Sequence, residues 1–321
     1  MESTLIYLVQ ELDARHQETL HQLAPNYEFR TQENPPTTSE WPFVEIMLGW
    51  DPEIGKDILA LEKSHLRWIQ ANSAGVDYLD LVTLREKGIL LSNMSGIHAI
   101  PIAESVIGML LARYRGIQAA IRAQATKQWL PYKEMAYNEV KGKKMVIIGA
   151  GKIGQQLASI ATALGVEVAG VNRSGRQLEH FATVYRQSDL FNHLNKFDIV
   201  VNILPLTNQT HHFYNDAFFS HVKPGAQFIN VGRGASVDTA AIIRALKQKQ
   251  LSFVGLDVFE TEPLEETSPL WMMENVMITP HIAGLVRHFQ QKIMAIYQAN
   301  LTSYLQTGTL ARNEVDLTSG Y

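Results

Sequence analysis

The sequence predicts an α/β protein built on a doubly wound parallel sheet, with a smaller α/β unit ahead of it. Three observations carry this. Short, nearly continuous apolar runs recur through the middle of the 321-residue chain, helical segments alternate with several of them, and a glycine-rich turn joins one run to one helix. Strands of unbroken Val, Ile, Leu and Phe are buried on both faces, as in a parallel sheet. Strand–helix alternation then implies right-handed crossovers. The length suits two domains better than one.

Taken in order, Leu5–Val9, Val44–Leu48 and Leu66–Ala71 read as strands of the first unit. A helix is expected over Asp51–Glu62, and the double proline in Glu33–Thr38 marks an exposed loop. From Pro101 to Gln124, Val106, Leu110, Tyr114, Ile117 and Ile121 recur at helical spacing, and Pro101 is tolerable in a first turn. The central strands are Met145–Ile148, Val166–Val171, Asp198–Ile203, Ala226–Val231, Leu251–Leu256 and Val276–Thr279. Helices fill Ile153–Leu164 and Asp238–Gln248, the second opening on a good N-cap residue, Asp238. A last helix, Leu285–Leu305, carries Phe289, Ile293, Ile296 and Tyr297 at similar spacing. If it returns to the N-terminal unit, that unit is discontinuous, and ligand clefts favour such interfaces.

Composition closes off several classes of function. A net charge of −4 gives no electrostatic case for nucleic acid or an anionic membrane. With no cysteine, disulfides, thiolate nucleophiles and sulfur-ligated metals are excluded. The acidic start and short apolar run before Glu11 are unlike a secretory signal, and no window reaches ~18 uninterrupted apolar residues, so a soluble cytoplasmic protein is expected. The chain has neither an HExxH helix nor a GxSxG elbow. His211 and His212, adjacent in sequence, are expected to diverge at the surface, and no metal site is expected.

The strongest local signal is Gly149-Ala150-Gly151-Lys152-Ile153-Gly154, directly after a strand and opening a helix. Gly149 allows the tight turn, Gly151 lets a pyrophosphate approach the backbone, and Gly154 lets helix and strand pack closely. Amides at the helix start, from Lys152 onward, would hold the phosphates. Some 20 residues on, an acidic side chain would bind the ribose 2′-hydroxyl and repel a 2′-phosphate. The chain instead places Asn172 there, followed by Arg173, Ser174 and Arg176. Two cations and a hydroxyl welcome the extra phosphate, so NADP(H) is favoured while NAD(H) stays open.

Ligands of an open parallel sheet lie beyond the carboxyl ends of its strands. There stand Leu204 and Pro205 with Thr210 nearby, Val231 and Gly232 with Arg233, Asp257 with Glu260 and Glu262, and His281 with Ala283 and Gly284. One arginine, one or two carboxylates and one histidine thus converge on one edge. That set suits a carboxylate-bearing carbonyl substrate. The guanidinium grips the acid as a fork, the imidazole donates or accepts a proton, and a carboxylate favours the imidazolium.

At GAGKIG, LPLTNQT, INVGRGASVD, GLDVFETEPL and ITPHIAG, the run Lys143 to Gly284 resembles the D-isomer-specific 2-hydroxyacid dehydrogenases. The N-terminal part matches more loosely, at Ser73-Ala74-Gly75-Val76-Asp77 and Ala103-Glu104. The resemblance implies two doubly wound parallel-sheet domains of Rossmann-like and flavodoxin-like type. The nucleotide domain, 99–284, would be inserted into a substrate domain of 1–98 plus 285–321, and the protein would be a homodimer. It also implies hydride transfer between NAD(P)H and a small 2-keto or D-2-hydroxy acid, with wording that leans towards glyoxylate and hydroxypyruvate reduction.

By the same resemblance, Arg233 would bind the substrate carboxylate and carbonyl, and His281 would pass a proton to the carbonyl oxygen. Glu262 would pair with His281, with Glu260 as the structural acid of that motif. Asp257 would sit near the nicotinamide, Leu204 and Pro205 along the cofactor, and the amides of Ala74 and Gly75 on the substrate carboxylate. Trp50 would either wall the substrate pocket or serve as an ordinary interface aromatic. Two alternatives remain: an NAD-linked D-lactate-type enzyme, and a non-catalytic nucleotide sensor like the family's co-repressors. The full Arg233, Glu262 and His281 set argues against the sensor.

Overall fold

A computed structural model describes residues 4–131, 133 and 137–318. It divides into two units, one of Met1–Ile97 with Val286–Tyr321, the other His98–Leu285. Among the described residues, no helix is long and apolar enough to cross a membrane.

The first unit opens with β1 (Leu5–Leu8), α1 (Ala14–Leu23), β2 (Glu28–Thr31), β3 (Val44–Leu48), α2 (Ile54–Ala60), β4 (Trp68–Gln70), α3 (Leu81–Glu86) and β5 (Leu90–Ser92). All five strands pair in parallel, in the order β2-β1-β3-β4-β5. Alternate residues serve opposite faces: Ile6, Leu8, Ile46 and Leu48 pack on one side, Leu5, Tyr7 and Met47 on the other, and a register shift between β1 and β3 puts Val44 with the second set. β2 and β5, absent from the sequence reading, are the two edges. The strand expected over Leu66–Ala71 shortens to three residues, the length over which both its neighbours pair with it.

The second unit begins with α4 (Ala99–Tyr114) and α5 (Ile117–Ala125), where the sequence implied one helix over Pro101–Gln124. Gly116 breaks it, at φ 69° in the left-handed region that glycine tolerates. There follow β6 (Lys144–Ile148), α6 (Lys152–Ala163), β7 (Glu167–Asn172), β8 (Thr183–Arg186) and β9 (Ile199–Asn202). The unit ends with α7 (Asp216–His221), β10 (Ala226–Asn230), α8 (Thr239–Lys247), β11 (Leu251–Leu256) and β12 (Val276–Ile278). The seven strands are parallel in the order β12-β11-β10-β9-β6-β7-β8. Both sheets are therefore doubly wound, with order reversals between β1 and β3 and between β6 and β9, the places where such folds bind ligands. Asp238 caps α8 as expected, accepting from the Ala241 amide at 3.1 Å.

The chain then returns to the first unit as α9 (Phe289–Thr307), burying Ile293, Met294, Ile296, Tyr297 and Leu301. Asn300, fully buried on the same helix, donates to Gln70 Oε1 (2.9 Å) and accepts from the Ala311 and Arg312 amides (3.1 and 3.0 Å). Ser92 Oγ donates to the same Gln70 oxygen (2.7 Å) and accepts from Trp68 Nε1 (2.8 Å). Each member has a partner, the condition under which a buried polar network stabilises. Beyond α9, residues 313–315 run antiparallel along β5: Asn93 donates its amide to the Asn313 carbonyl (3.0 Å) and Val315 to that of Leu91 (2.8 Å).

Candidate active site

At the switch point of the seven-stranded sheet, the three motif glycines do different work. Gly149 has φ 107°, and a Cβ there would lie 2.8 Å from the Ile203 carbonyl oxygen, so β6 turns tightly beside the end of β9. A Cβ on Gly154 would meet the Gly149 carbonyl at 2.7 Å and Ile147 Cγ2 at 3.3 Å, which is the close helix–strand packing the motif provides. Gly151 is exposed and a Cβ there would meet nothing within 4 Å, leaving an open approach. It is also the N-cap of α6 and brings no capping side chain, so the first-turn amides of Lys152, Ile153 and Gly154 point outward. An open glycine over an uncapped helix start fits a pyrophosphate.

At the end of β7, Asn172 turns its side chain inward. Its Oδ1 accepts from the Gly175 amide (2.6 Å) and its Nδ2 donates to the Arg176 carbonyl (2.9 Å). Asn172 thus fixes the shape of the turn, while Arg173, Ser174 and Arg176 are exposed on it. Leu204 and Pro205 are half-buried after β9. Thr210 lies deeper: it is buried, its hydroxyl donating to the Pro205 carbonyl (2.7 Å) and accepting from the Thr207 amide (2.7 Å), which folds that loop on itself.

Beneath the loop carrying Arg233 lies a polar cluster the sequence reading missed. Asn202 Nδ2 donates to Asn230 Oδ1 (2.8 Å) and Ser236 Oγ (2.9 Å), and its Oδ1 accepts from the Tyr214 hydroxyl (2.8 Å) and the Leu204 amide (2.9 Å). Ser236 Oγ in turn donates to the Arg233 carbonyl (2.6 Å), and Asn230 Oδ1 accepts from the Gly232 amide (3.1 Å). Burial pushes the Tyr214 phenol well above its ordinary pKa, so it remains a donor. The available signal was an asparagine ending each of two adjacent apolar strands, IVVN and AQFIN. Val231 and Gly232 are buried, Arg233 is half-buried, and its Nη1 donates to the Gly232 carbonyl (3.0 Å).

Asp257, 2% exposed, folds the 279–283 segment around its carboxylate. It accepts from the Thr279 hydroxyl (2.6 Å) and from the amides of Ile282 (2.9 Å) and Ala283 (3.0 Å to its second oxygen), while its carbonyl accepts from the His281 amide (2.8 Å). That arrangement holds His281 at φ 55°. Its Nδ1 meets Glu262 Oε2 at 2.7 Å, and Glu262 Oε1 accepts from the Phe259 amide (2.9 Å). A carboxylate oxygen accepts, so the hydrogen of this contact is placed on Nδ1, and Nε2 is not engaged by Glu262. The side chains are 54% and 35% exposed, open enough to be reached.

Glu260 points elsewhere: it accepts from the Thr239 amide at the start of α8 (2.8 Å) and pairs with His212 Nε2 (2.6 Å). His211 and His212 do not diverge as expected. Their rings stack at 4.2 Å because His212 adopts φ 49°. Gly234 lies so close to the Phe259 backbone that the loops bearing Arg233 and Glu262 touch. The second unit therefore brings Glu262 and His281 into contact and puts Arg233 on the adjoining strand end, with Gly284 completing the edge. Among the described residues no cluster of His, Asp and Glu could hold a metal ion.

Trp50, Ala74 and Gly75 lie in the first unit. The Trp50 ring covers Gly55, where a Cβ would fall 2.6 Å from Cζ3, so much of this ring is spent in local packing. Around 73–75 the carbonyls face inward: Ser73 accepts from the Met94 amide (3.0 Å), Ala74 from Asn93 Nδ2 (2.9 Å), and Gly75 from Ser73 Oγ (2.7 Å). Among the described residues, none accepts from the Ala74 or Gly75 amide. Successive backbone amides in a turn can bind an anion.

Comparison with known proteins shows the family. Residues 107–283 match the family profile described as D-isomer specific 2-hydroxyacid dehydrogenase, NAD binding domain. The chain is 32% identical over 323 residues to glyoxylate/hydroxypyruvate reductase B of Shigella boydii, covering 98% of each. A D-isomer specific 2-hydroxyacid dehydrogenase family protein from Aeromonas salmonicida superposes with TM-score 0.82 at 31% identity, over 98% of this chain and 99% of that one. An NADPH-dependent glyoxylate/hydroxypyruvate reductase from Sinorhizobium meliloti, solved with NADP and malonate, gives 0.79 at 25% identity over 98% of both. The chain belongs to the D-isomer-specific 2-hydroxyacid dehydrogenases, NAD(P)-dependent oxidoreductases that act on small 2-keto and 2-hydroxy acids.

Proposed function

We propose that this protein is a cytoplasmic, homodimeric reductase of glyoxylate and hydroxypyruvate that takes its hydride preferentially from NADPH and less readily from NADH. The observation that carries the acid–base part is the 2.7 Å contact between His281 Nδ1 and Glu262 Oε2 at the carboxyl edge of the seven-stranded sheet. The substrate names come from the similar reductases. The cofactor preference rests on the exposed Arg173, Ser174 and Arg176 turn, with no carboxylate at Asn172, and on NADP in the Sinorhizobium enzyme.

In this reading the first-turn amides of α6 and the open side of Gly151 hold the cofactor pyrophosphate, and Leu204 and Pro205 line it. The bound nicotinamide supplies the hydride. Arg233 forks the substrate carboxylate, and the Ala74 and Gly75 amides are assigned to the same group. His281 delivers a proton from Nε2 to the carbonyl oxygen as negative charge develops there, while Glu262 holds the ring and stabilises its cationic form. Asp257 fixes the backbone from which His281 projects.

The test is NADPH consumption on adding glyoxylate, hydroxypyruvate, pyruvate or a bulkier 2-keto acid, repeated with NADH. Turnover is expected to be fastest with the first two and with NADPH, and a His281→Ala variant should bind NADPH but not turn over. Absence of NADPH oxidation with every keto acid would refute the reading, and faster NADH use would refute its cofactor part. Sedimentation of the purified protein checks the dimer.

A further inference from the structure

We infer that Tyr297 is a positioning residue for the substrate carboxylate: its buried phenol sets Asn72, and through Asn72 the turn at Ser73–Gly75. This rests on the reading of the Ala74 and Gly75 amides as the carboxylate cradle.

Asn72 stands where β4 ends, and three other segments converge on its side chain. Its Oδ1 accepts from the Tyr297 hydroxyl of α9, and its Nδ2 donates to Gln10 Oε1 just beyond β1 (3.0 Å). The third segment is the end of β3, where Gly49 takes φ 103° and a Cβ would fall 2.9 Å from Asn72 Nδ2 and 2.8 Å from Val9 Cβ. The space for the amide exists only because that residue is glycine. This is the order reversal of the first sheet, where β1 and β3 part to opposite sides.

Tyr297 is suited to the task. It is 0% exposed and lies three residues before Asn300, on the same face of α9. Asn300 reaches Gln70 two residues before Asn72, so one helix face grips both ends of this short run. Burial holds the phenol far above its ordinary pKa, and the donor persists through alkaline assays. The next residues depend on where Asn72 is set. With the carbonyls of Ser73, Ala74 and Gly75 all tied inward, the two outward amides inherit their direction from the backbone leaving Asn72.

Phenylalanine at 297 keeps the volume and removes one hydrogen bond, leaving the Asn72 amide held by Gln10 alone. In Tyr297→Phe, assayed with NADPH and glyoxylate, KM for the keto acid should rise about tenfold, while kcat and KM for NADPH stay within about twofold. A purely structural tyrosine would lower the melting temperature without that split. Asn72→Ser should produce the same split, and the double variant should add little, because both changes break one interaction. Asn72→Ser also carries the test if Tyr297→Phe fails to fold.

An unchanged keto-acid KM in folded Tyr297→Phe, or full additivity in the double variant, would overturn the inference. Ala74→Pro separates it from the reading beneath it, because that change removes a cradle amide. If Ala74→Pro raises KM and Tyr297→Phe does not, only the role of Tyr297 falls. If a folded Ala74→Pro leaves KM untouched, the cradle reading itself falls and takes the inference with it.

Discussion

Replacing Gly234 with alanine tests the coupling of the loops that carry Arg233 and Glu262. An added Cβ would lie 1.8 Å from the Phe259 carbonyl oxygen and 1.9 Å from its carbon, and both are backbone atoms that cannot swing aside. The closest contact must lengthen to at least 3.0 Å, so the two loops must part by about 1.2 Å. The Phe259 amide is also the donor that holds Glu262 Oε1, so the displacement reaches the Glu262–His281 pair directly. A misplacement of about 1 Å can cost about 100-fold in rate, equivalent to about 2.7 kcal/mol of transition-state stabilisation. Overpacking adds about 1–3 kcal/mol of lost stability. The assay is NADPH-dependent glyoxylate reduction, run beside NADPH binding followed by fluorescence and thermal unfolding. kcat/KM should fall about 100-fold while NADPH affinity, assigned in the proposed function to the Gly149 loop, stays near that of the parent. A folded Gly234→Ala variant with kcat/KM within twofold of the parent would refute the reasoning.

Glu262→Gln should keep the loop contact to the Phe259 amide but lose the charge beside the imidazole; kcat should drop about 10- to 100-fold in steady-state assays with NADPH binding unchanged. Reversing charge in an Arg173→Glu, Arg176→Glu double variant should raise KM for NADPH by at least about tenfold and leave NADH nearly untouched, as comparison of the two cofactors would show. Asn202→Leu removes the hub beneath the Arg233 loop, strands the buried Tyr214 hydroxyl and takes one partner each from Asn230 and Ser236, so urea unfolding should reveal a loss of about 2–4 kcal/mol. The last prediction concerns pH. Hydrogen bonds from Arg30, then from Thr37, hold the Glu40 carboxyl down to about 2. A folded pKa below the unfolded one adds stability that is complete above the ordinary value of 4.5 and fades as pH falls towards 2. Urea midpoints of the parent and Glu40→Gln should therefore differ near neutrality and converge as the solution is acidified to pH 2.

The sequence was most legible where burial on both faces leaves one reading. Leu251–Leu256 lies between two partner strands and was recognised residue for residue. The glycine motif was equally readable, because a tight turn, an open approach and a close helix contact each constrain one position. What failed depends on partners distant in sequence. β2 and β8 are edges with polar residues among the apolar ones, so nothing local separates them from loops. Helical spacing of apolar residues runs straight through Gly116, and only its backbone conformation shows the break. Asn202 and Asn230 are 28 residues apart, and a lone asparagine at a strand end gives no sign that it bonds to its counterpart next door. Glu260 and Glu262 are chemically alike and differ only in what faces them: a helix N-terminus and His212 for one, His281 for the other.

The first sheet ends in two different defences against its own chemistry. A parallel edge strand presents unpaired amides and carbonyls that another chain could extend, and an unguarded one invites aggregation. Along β5 the strip from Asn313 to Val315 runs against the grain of the sheet and takes up those groups. At β2 no strip is laid among the described residues, but Glu28 and Arg30 are charged and Arg30 is clamped between Glu28 and Glu40. A chain cut before Asn313 would lose one guard and keep the other, so its insoluble product should stack through β5 and leave β2 facing water.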